Sequence, residues 1–227
     1  MNFFSYESRF SQVFLKLTWS CWLNMLWFIC SLPVFTAGAS TAALYTVTLK
    51  IADGKEETLT KEFFRAFRAN FKQATRIWLL MLVIGILLAA GGYITWHLRA
   101  SSTGVPAIMW TLNLALLIAA AVVYTIVLIY VYPLIARYAN TDRAMLINSL
   151  LIGLRYLFCT ILVFAIHFAM FYAVVVIFTP LIIFGEGLCA LLSSYLLISV
   201  FRTLNYEEAE GEGPPKNAEK YGKPSVR

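Results

Sequence analysis

Two side chains that could do chemistry lie in otherwise apolar sequence. His167 is in the middle of a long uncharged run, and Glu186 follows the end of that run. In such surroundings an imidazole and a carboxyl group can move a proton, bind a ligand or hydrogen-bond to neighbouring helices. We expect a packing role for a neutral His167. We expect Glu186 near an aqueous surface, solvated or paired with Arg99 or His97.

Motifs of known catalytic or metal chemistry are missing from the sequence. It contains no GxSxG, no HExxH, no Walker loop and no carboxylate pair with a useful spacing. The four cysteines have neither CxxC spacing nor a neighbouring histidine, and they are interpreted as packing residues: Cys21, Cys30, Cys159 and Cys189. We therefore expect no enzymatic activity, no metal ion and no cofactor.

Composition places the chain in a lipid bilayer. The 227 residues are 60% hydrophobic and 13% charged, against about 25% charged residues in soluble domains. Four runs without Asp, Glu, Lys or Arg each exceed the roughly 18 residues that mark a membrane span: 17–49, 77–98, 107–136 and 156–185. Their uniform apolarity favours helices over barrel strands, which would alternate apolar and polar residues. The sequence predicts an all-α, polytopic transmembrane helix bundle.

The first run is too long for one span, since it would make a helix of about 50 Å. Pro33 divides it into a full span and a short second leg that is rich in small residues. This leg is either a short span packed against protein or a re-entrant leg. The predicted segments are five long spans and this leg: 13–32, 35–49, 77–97, 107–132, 156–179 and 181–201.

The distribution of the 18 Lys and Arg residues indicates the orientation. With the hairpin at Pro33, all of them except Arg99 fall on one side, which the positive-inside rule makes cytoplasmic. Five spans without the second leg would move Arg9 and Lys16 outside. We therefore expect a cytoplasmic amino terminus, and both arrangements give a cytoplasmic carboxyl terminus. Residues 205–227 are polar and predict a disordered cytoplasmic tail.

Residues 60–76 predict an amphipathic cytoplasmic helix with an aromatic face and a basic face. Such a helix should lie at the headgroup surface, where anionic lipid favours its cations. It either anchors the following span or docks a partner protein, and nothing beyond charge points to nucleic acid. The candidate residues for lipid or partner docking are Phe63, Arg65, Phe67, Arg68, Phe71, Lys72 and Arg76.

Two stretches carry a family resemblance. They are SLPVFTAGASTAALYTVTLK at 31–50 and FFRAFRANFKQATRIW at 63–78. Together they resemble the YesL-like family of bacterial integral membrane proteins, a domain-of-unknown-function family. The resemblance implies a bacterial plasma-membrane protein of uncharacterised activity. Genes of this family often lie beside carbohydrate ABC transporters and glycoside-degrading enzymes, but the family offers no site residues to carry over.

Two functional hypotheses follow. The first is a non-enzymatic accessory factor linked to ABC-type carbohydrate transport, with a permease subunit or a second copy of itself as protein partner. The second is a small transporter or channel in its own right. That alternative predicts a polar cavity lined by residues such as Asn24, Ser40, Thr41, Asn113, Tyr124 and His167.

Overall fold

The chain folds into an all-α bundle, which confirms the predicted fold class. A computed structural model describes residues 9–55, 58–183 and 185–211, and it has no strand among them. The helices are α1 (Arg9–Ser31), α2 (Ala37–Ala52), α3 (Leu59–Ser101), α4 (Val105–Arg137), α5 (Asp142–Arg155), α6 (Leu157–Tyr172) and α7 (Gly185–Gly211).

Four helical segments are long and apolar enough to cross a membrane: Leu59–Ser101, Val105–Arg137, Leu157–Ile177 and Gly185–Leu204. The protein is therefore an α-helical membrane protein. Its cations collect at one end of the bundle, here called the basic end, where α2 meets α3 and α4 meets α5. The turn between α3 and α4 lies at the opposite end and carries Arg99; it is called the Arg99 end.

Helices α1 and α2 form a hairpin that reverses at Pro33. A short 3-10 turn, Val34–Thr36, follows the proline. The Thr36 hydroxyl lies 2.6 Å from the Cys30 carbonyl oxygen and 2.7 Å from that of Pro33, so it can cap carbonyls that the interrupted helix leaves open. Farther along, the Trp27 indole N–H donates to the Thr41 hydroxyl at 3.0 Å, which ties the two legs together.

The short second leg is the centre of the bundle. Most of the 16 residues of α2 are buried, and it packs against α1, α3, α4 and α7. At about 1.5 Å per residue it is about 24 Å long, shorter than a hydrocarbon core of about 30 Å. The structure shows this leg packed against four other helices. Its small residues allow this, because they let neighbouring backbones come close.

The predicted amphipathic helix and the following span are one helix. Helix α3 runs without a break for 43 residues, about 65 Å at about 1.5 Å per residue. Its first part packs against α2, with Phe63 fully buried and Phe67 and Phe71 partly buried against the core. The aromatic face of the predicted amphipathic helix is therefore covered mainly by α2.

The second half of α3 pairs with the first half of α4. The Thr95 hydroxyl donates to the Asn113 side-chain oxygen at 2.9 Å, and Arg99 Nε donates to the Thr111 hydroxyl at 2.9 Å. Most large apolar side chains on this helix pair remain exposed within the chain. Such side chains are suited to lipid contact, since hydrocarbon accepts them without cost.

Helix α5 is held against α3 and α4. Arg76 donates two hydrogen bonds to Asp142, at 2.8 and 3.1 Å, and Gln73 donates to Asp142 at 3.1 Å. These bonds hold the pKa of Asp142 below its usual value. Near the other end of α5, Gly153 lies so close to Ile126 that a side chain there would collide with it.

The last span differs from its predicted limits of 181–201. Pro180 lies in a 3-10 turn, Thr179–Ile183, and α7 begins only at Gly185. The helix then continues to Gly211, so residues 205–211 of the predicted disordered tail are helical. The rest of that tail, 212–227, lies outside the described residues.

An ion-pair cluster closes the basic end. Asp53 and Gly54 form the turn after α2, and Gly54 has a φ of 73°, which favours glycine. Asp53 accepts a hydrogen bond from Arg202 of α7 at 2.8 Å and pairs with Lys55 at 2.9 Å. These bonds lower the pKa of Asp53 to about 2.

Gly38→Ala should destabilise the protein. A Cβ at this position would lie 2.5 Å from the Cβ of Trp78 and 2.6 Å from the Ala74 carbonyl oxygen, so α2 and α3 would have to separate. We expect a cost of about 1–3 kcal/mol, as for other overpacked sites. Thermal unfolding in detergent measures it. Gly92→Ala is the matched control, because nothing lies within 4 Å of its Cβ position, and an unchanged melting temperature for Gly38→Ala would contradict the packing.

The Asp53 cluster should give a small, acid-sensitive contribution to stability. Because the folded pKa is lowered to about 2 from 3.8, the contribution is present above pH 3.8 and is lost as the pH falls towards 2. Since Arg202 is largely exposed, we expect less than about 1 kcal/mol. Asp53→Asn should therefore melt below the wild type at pH 7 and at the same temperature near pH 2. An equal difference at both pH values would contradict the assignment.

Candidate functional site in the aromatic cavity beside His167 and Glu186

The start of α7 is fixed by one buried asparagine of α1. Asn24 accepts a hydrogen bond from the Gly187 backbone N–H at 2.8 Å and donates to the Ile182 carbonyl at 3.1 Å. A side chain at Gly187 would collide with the Ser20 carbonyl oxygen, so α1 and α7 touch here. The two bonds set the position of Glu186, which directly precedes Gly187 in the chain.

His167 of α6 and Glu186 of α7 face each other between adjacent helices. His167 Nδ1 lies 2.9 Å from the Val163 carbonyl oxygen. A carbonyl can only accept, so Nδ1 carries a proton and Nε2 is the nitrogen left towards Glu186. Nε2 lies 3.9 Å from a Glu186 oxygen, and about 30% and 28% of the two side chains remain accessible. The expected pairing of Glu186 with Arg99 or His97 is wrong, since Arg99 bonds Thr111 and His97 contacts the Tyr93 ring.

These two side chains line a cavity of about 370 Å³ with mainly aromatic and apolar walls. Ala37, Thr41 and Tyr45, at four-residue spacing along α2, form one wall. The other lining residues come from α1, α3, α4, α6 and α7: Trp27, Trp78, Thr125, Leu128, Ile129, Tyr132, Phe164, His167 and Glu186.

A larger groove of about 770 Å³ adjoins the cavity. Trp27, Trp78, His167 and Glu186 line both spaces, so the polar pair lies where they meet. The rest of the groove is mainly apolar and is formed by the Pro33 turn, the end of α6 and the start of α7. An apolar molecule dissolved in the bilayer could reach the polar pair along this path.

The predicted polar cavity is present in part. Of the six residues predicted to line it, the structure places Thr41 and His167 in its wall. Asn24 instead anchors α7, Ser40 is buried with its hydroxyl 3.2 Å from the Thr36 carbonyl, and Asn113 bonds Thr95. The Tyr124 hydroxyl packs over Gly85 between α3 and α4.

The aromatic lining was missed by sequence reasoning. Tyr45 and Tyr132 are almost completely buried, and Trp27 and Trp78 pack against the same core. Their convergence depends on how four separate helices cross, which no spacing in the sequence encodes. One available signal was the 37–41–45 spacing on α2, which places two small side chains and one phenol on one face.

The Tyr132 hydroxyl stands out in this lining. It is buried and has no hydrogen-bond partner among the residues that the structure describes, while the tyrosine as a whole is only 4% exposed. A buried hydroxyl without a partner costs about 1–3 kcal/mol, so such groups are uncommon. This hydroxyl is enclosed by protein atoms, whereas the His167 and Glu186 side chains in the same lining remain partly accessible.

The docking residues predicted on 60–76 separate into two sets. The aromatic members face inward, as described above. The basic members Arg65, Arg68, Lys72 and Arg76 are all exposed. Arg65 bonds Glu62 at 2.9 Å and Arg76 bonds Asp142, whereas Arg68 and Lys72 have no acidic partner among the residues that the structure describes.

The geometry defines an all-α membrane bundle with a small aromatic cavity, and the comparisons agree with the family resemblance. Residues 21–91 match the model of a family described as "Protein of unknown function, DUF624". This segment contains about half of α1, all of α2, and α3 as far as Gly91, including both quoted stretches. The resemblance to the YesL-like proteins, which are the DUF624 family, is thereby confirmed. No curated protein and no solved structure matches the chain.

Asn24→Leu should loosen the start of α7. It leaves the buried Gly187 N–H and the Ile182 carbonyl without partners, and we expect a loss of about 1–3 kcal/mol. Thermal unfolding in detergent measures the loss. Asn113→Leu serves as control, because it removes a single side-chain bond near the Arg99 end. Equal melting temperatures for the two variants would contradict the anchoring role.

Proposed function

We propose that the protein is a non-enzymatic accessory factor of ABC-type carbohydrate transport in the bacterial plasma membrane. It acts through contacts with a permease subunit, or with a second copy of itself. The link to carbohydrate transport rests on the family resemblance, and the contact surface is argued from the structure. The observation that carries the proposal is the exposed row of Arg65, Arg68 and Lys72 on α3.

The proposal places the basic end of the bundle in the cytoplasm. Lysines and arginines collect at this end on α2, α3, α5 and α7, whereas Arg99 is at the opposite end. The positive-inside rule favours this orientation. The exposed row then faces the cytoplasmic surface, where both anionic lipid and cytoplasmic parts of other membrane proteins are found.

The exposed row suits a docking function because the helix that carries it is packed firmly against α2. Its aromatic neighbours pack against α2, so the cations are fixed on the outer face of a helix that continues into the membrane. Phe64 lies beside them and is 40% exposed. Cations with an adjacent aromatic side chain match an acidic partner surface that also offers some apolar area.

A small transporter is the second candidate. The cavity supports it, since His167 and Glu186 lie within the bundle and adjoin a groove open along its side. Ionisable side chains at such positions commonly mark substrate or proton paths. Purified protein in liposomes tests this candidate directly, by comparing solute or proton flux with that of empty liposomes.

Replacement of the basic row should weaken partner binding. We expect affinity purification in mild detergent to recover carbohydrate-transporter subunits with the wild type. Arg65→Gln, Arg68→Gln and Lys72→Gln together should reduce that recovery at least about fivefold, since contacts to charged groups contribute about 1.5–3 kcal/mol each. Quantitative mass spectrometry of the eluates provides the measurement.

The matched control retains the charges through Arg65→Lys, Arg68→Lys and Lys72→Arg, and it should keep most of the recovery. Deletion of the gene should also slow growth on oligosaccharides. The accessory role would be refuted by unchanged growth together with no transporter subunit in the wild-type eluate.

A further inference from the structure

We propose that the aromatic cavity binds an amphiphilic organic cation, an amine with an aromatic-sized apolar body. The inference concerns binding in the cavity alone. It goes beyond the accessory role and does not depend on it, because the basic row and the cavity share no residue.

The charge of the ligand follows from Glu186. Its carboxyl group lies in a wall without lysine or arginine, and an ionised carboxylate in apolar surroundings needs a counter-charge. His167 is the one basic side chain in that wall, and its Nε2 stays 3.9 Å from the carboxylate. An ammonium group on a ligand could donate charge-assisted hydrogen bonds to Glu186, which His167 at this distance does not make.

The aromatic walls also favour a cation. Five aromatic side chains line the cavity: Trp27, Tyr45, Trp78, Tyr132 and Phe164. The Trp27 and Trp78 indole N–H groups are used in bonds to the Thr41 hydroxyl and the Val34 carbonyl. The remaining indole surface is therefore apolar carbon, which attracts cations through its π electrons and also accepts an apolar ligand body.

The walls offer little hydrogen bonding to a strongly polar ligand, since the Tyr132 hydroxyl is enclosed by protein atoms. Sugars fit the cavity poorly, since most of their hydroxyl groups would find no partner against walls that are mainly apolar. Anions are disfavoured by Glu186.

Size and access are consistent with a small amine. The cavity of about 370 Å³ is at the lower end of the range of about 300–1,000 Å³ for small-molecule sites. The adjoining groove is lined by exposed apolar residues such as Phe28, Phe171 and Val175. An amine with an apolar body partitions into the bilayer and can enter from there.

Two probes isolate the contribution of the charge: propylbenzene is neutral, and phenethylamine replaces its terminal methyl group by an ammonium group. The experiment is calorimetric titration of the full chain in lipid nanodiscs at pH 7, with empty nanodiscs subtracted. For the wild type we expect phenethylamine to bind about tenfold more tightly than propylbenzene.

A variant assigns the charge preference to one side chain. Glu186→Gln should remove the preference for phenethylamine over propylbenzene. Asp142→Asn also loses a carboxylate, but it lies outside the cavity and should bind as the wild type does. Size-exclusion chromatography confirms that each variant is folded.

The comparison of probes on the wild type needs no variant, so a misfolded Glu186→Gln protein does not weaken the test. Equal affinity for phenethylamine and propylbenzene would show that His167 already neutralises Glu186, and it would overturn the proposal. So would the absence of saturable binding of both probes. No transporter subunit in the wild-type eluate and unchanged growth of the deletion strain, with amine binding intact, would refute the accessory role alone.

Discussion

The close packing of α2 within the bundle is the constraint on which the rest of the structure depends. Gly38 lets the backbone of α2 approach Trp78 and Ala74 of α3, and Ala39, Ala42 and Ala43 are completely buried. In lipid, apolar side chains gain little by leaving their surroundings, so helices associate through close contact and interhelical hydrogen bonds. A helix of small residues allows close contact with several neighbouring helices at once.

Polar side chains on α2 add interhelical hydrogen bonds without leaving unpaired polar groups on this helix. The Thr48 hydroxyl lies 3.1 Å from the Leu44 carbonyl oxygen, while the Ser194 hydroxyl of α7 donates to Thr48 at 2.8 Å. A hydroxyl that bonds the carbonyl one turn back remains compatible with a helix in an apolar interior. Such bonds fix the register between α2 and α7, and therefore the distance of Glu186 from the wall that α2 provides.

The cavity is a consequence of the same small residues. Ala37 and Thr41 are too short to fill the space between Trp27, Trp78 and His167, so close backbone packing leaves a void at this level. Larger side chains at 37 and 41 would fill it, yet the cavity keeps the Glu186 carboxyl group in a mainly apolar wall, 3.9 Å from His167 Nε2. A carboxyl group in such a wall is costly for stability alone, which supports a binding role.

The sequence by itself determined the all-α class, the membrane environment and the hairpin at Pro33, because these depend on long uncharged runs and on one missing backbone N–H. Similar local reasoning found the amphipathic pattern of 60–76, since the spacing of apolar and basic residues follows the 3.6-residue period of a helix. Only the tertiary structure decided that the aromatic face of this segment packs on α2, and that Glu186 lies beside His167 rather than Arg99. Those outcomes depend on which helices are neighbours and at what height, a property of the packed bundle that no single segment contains.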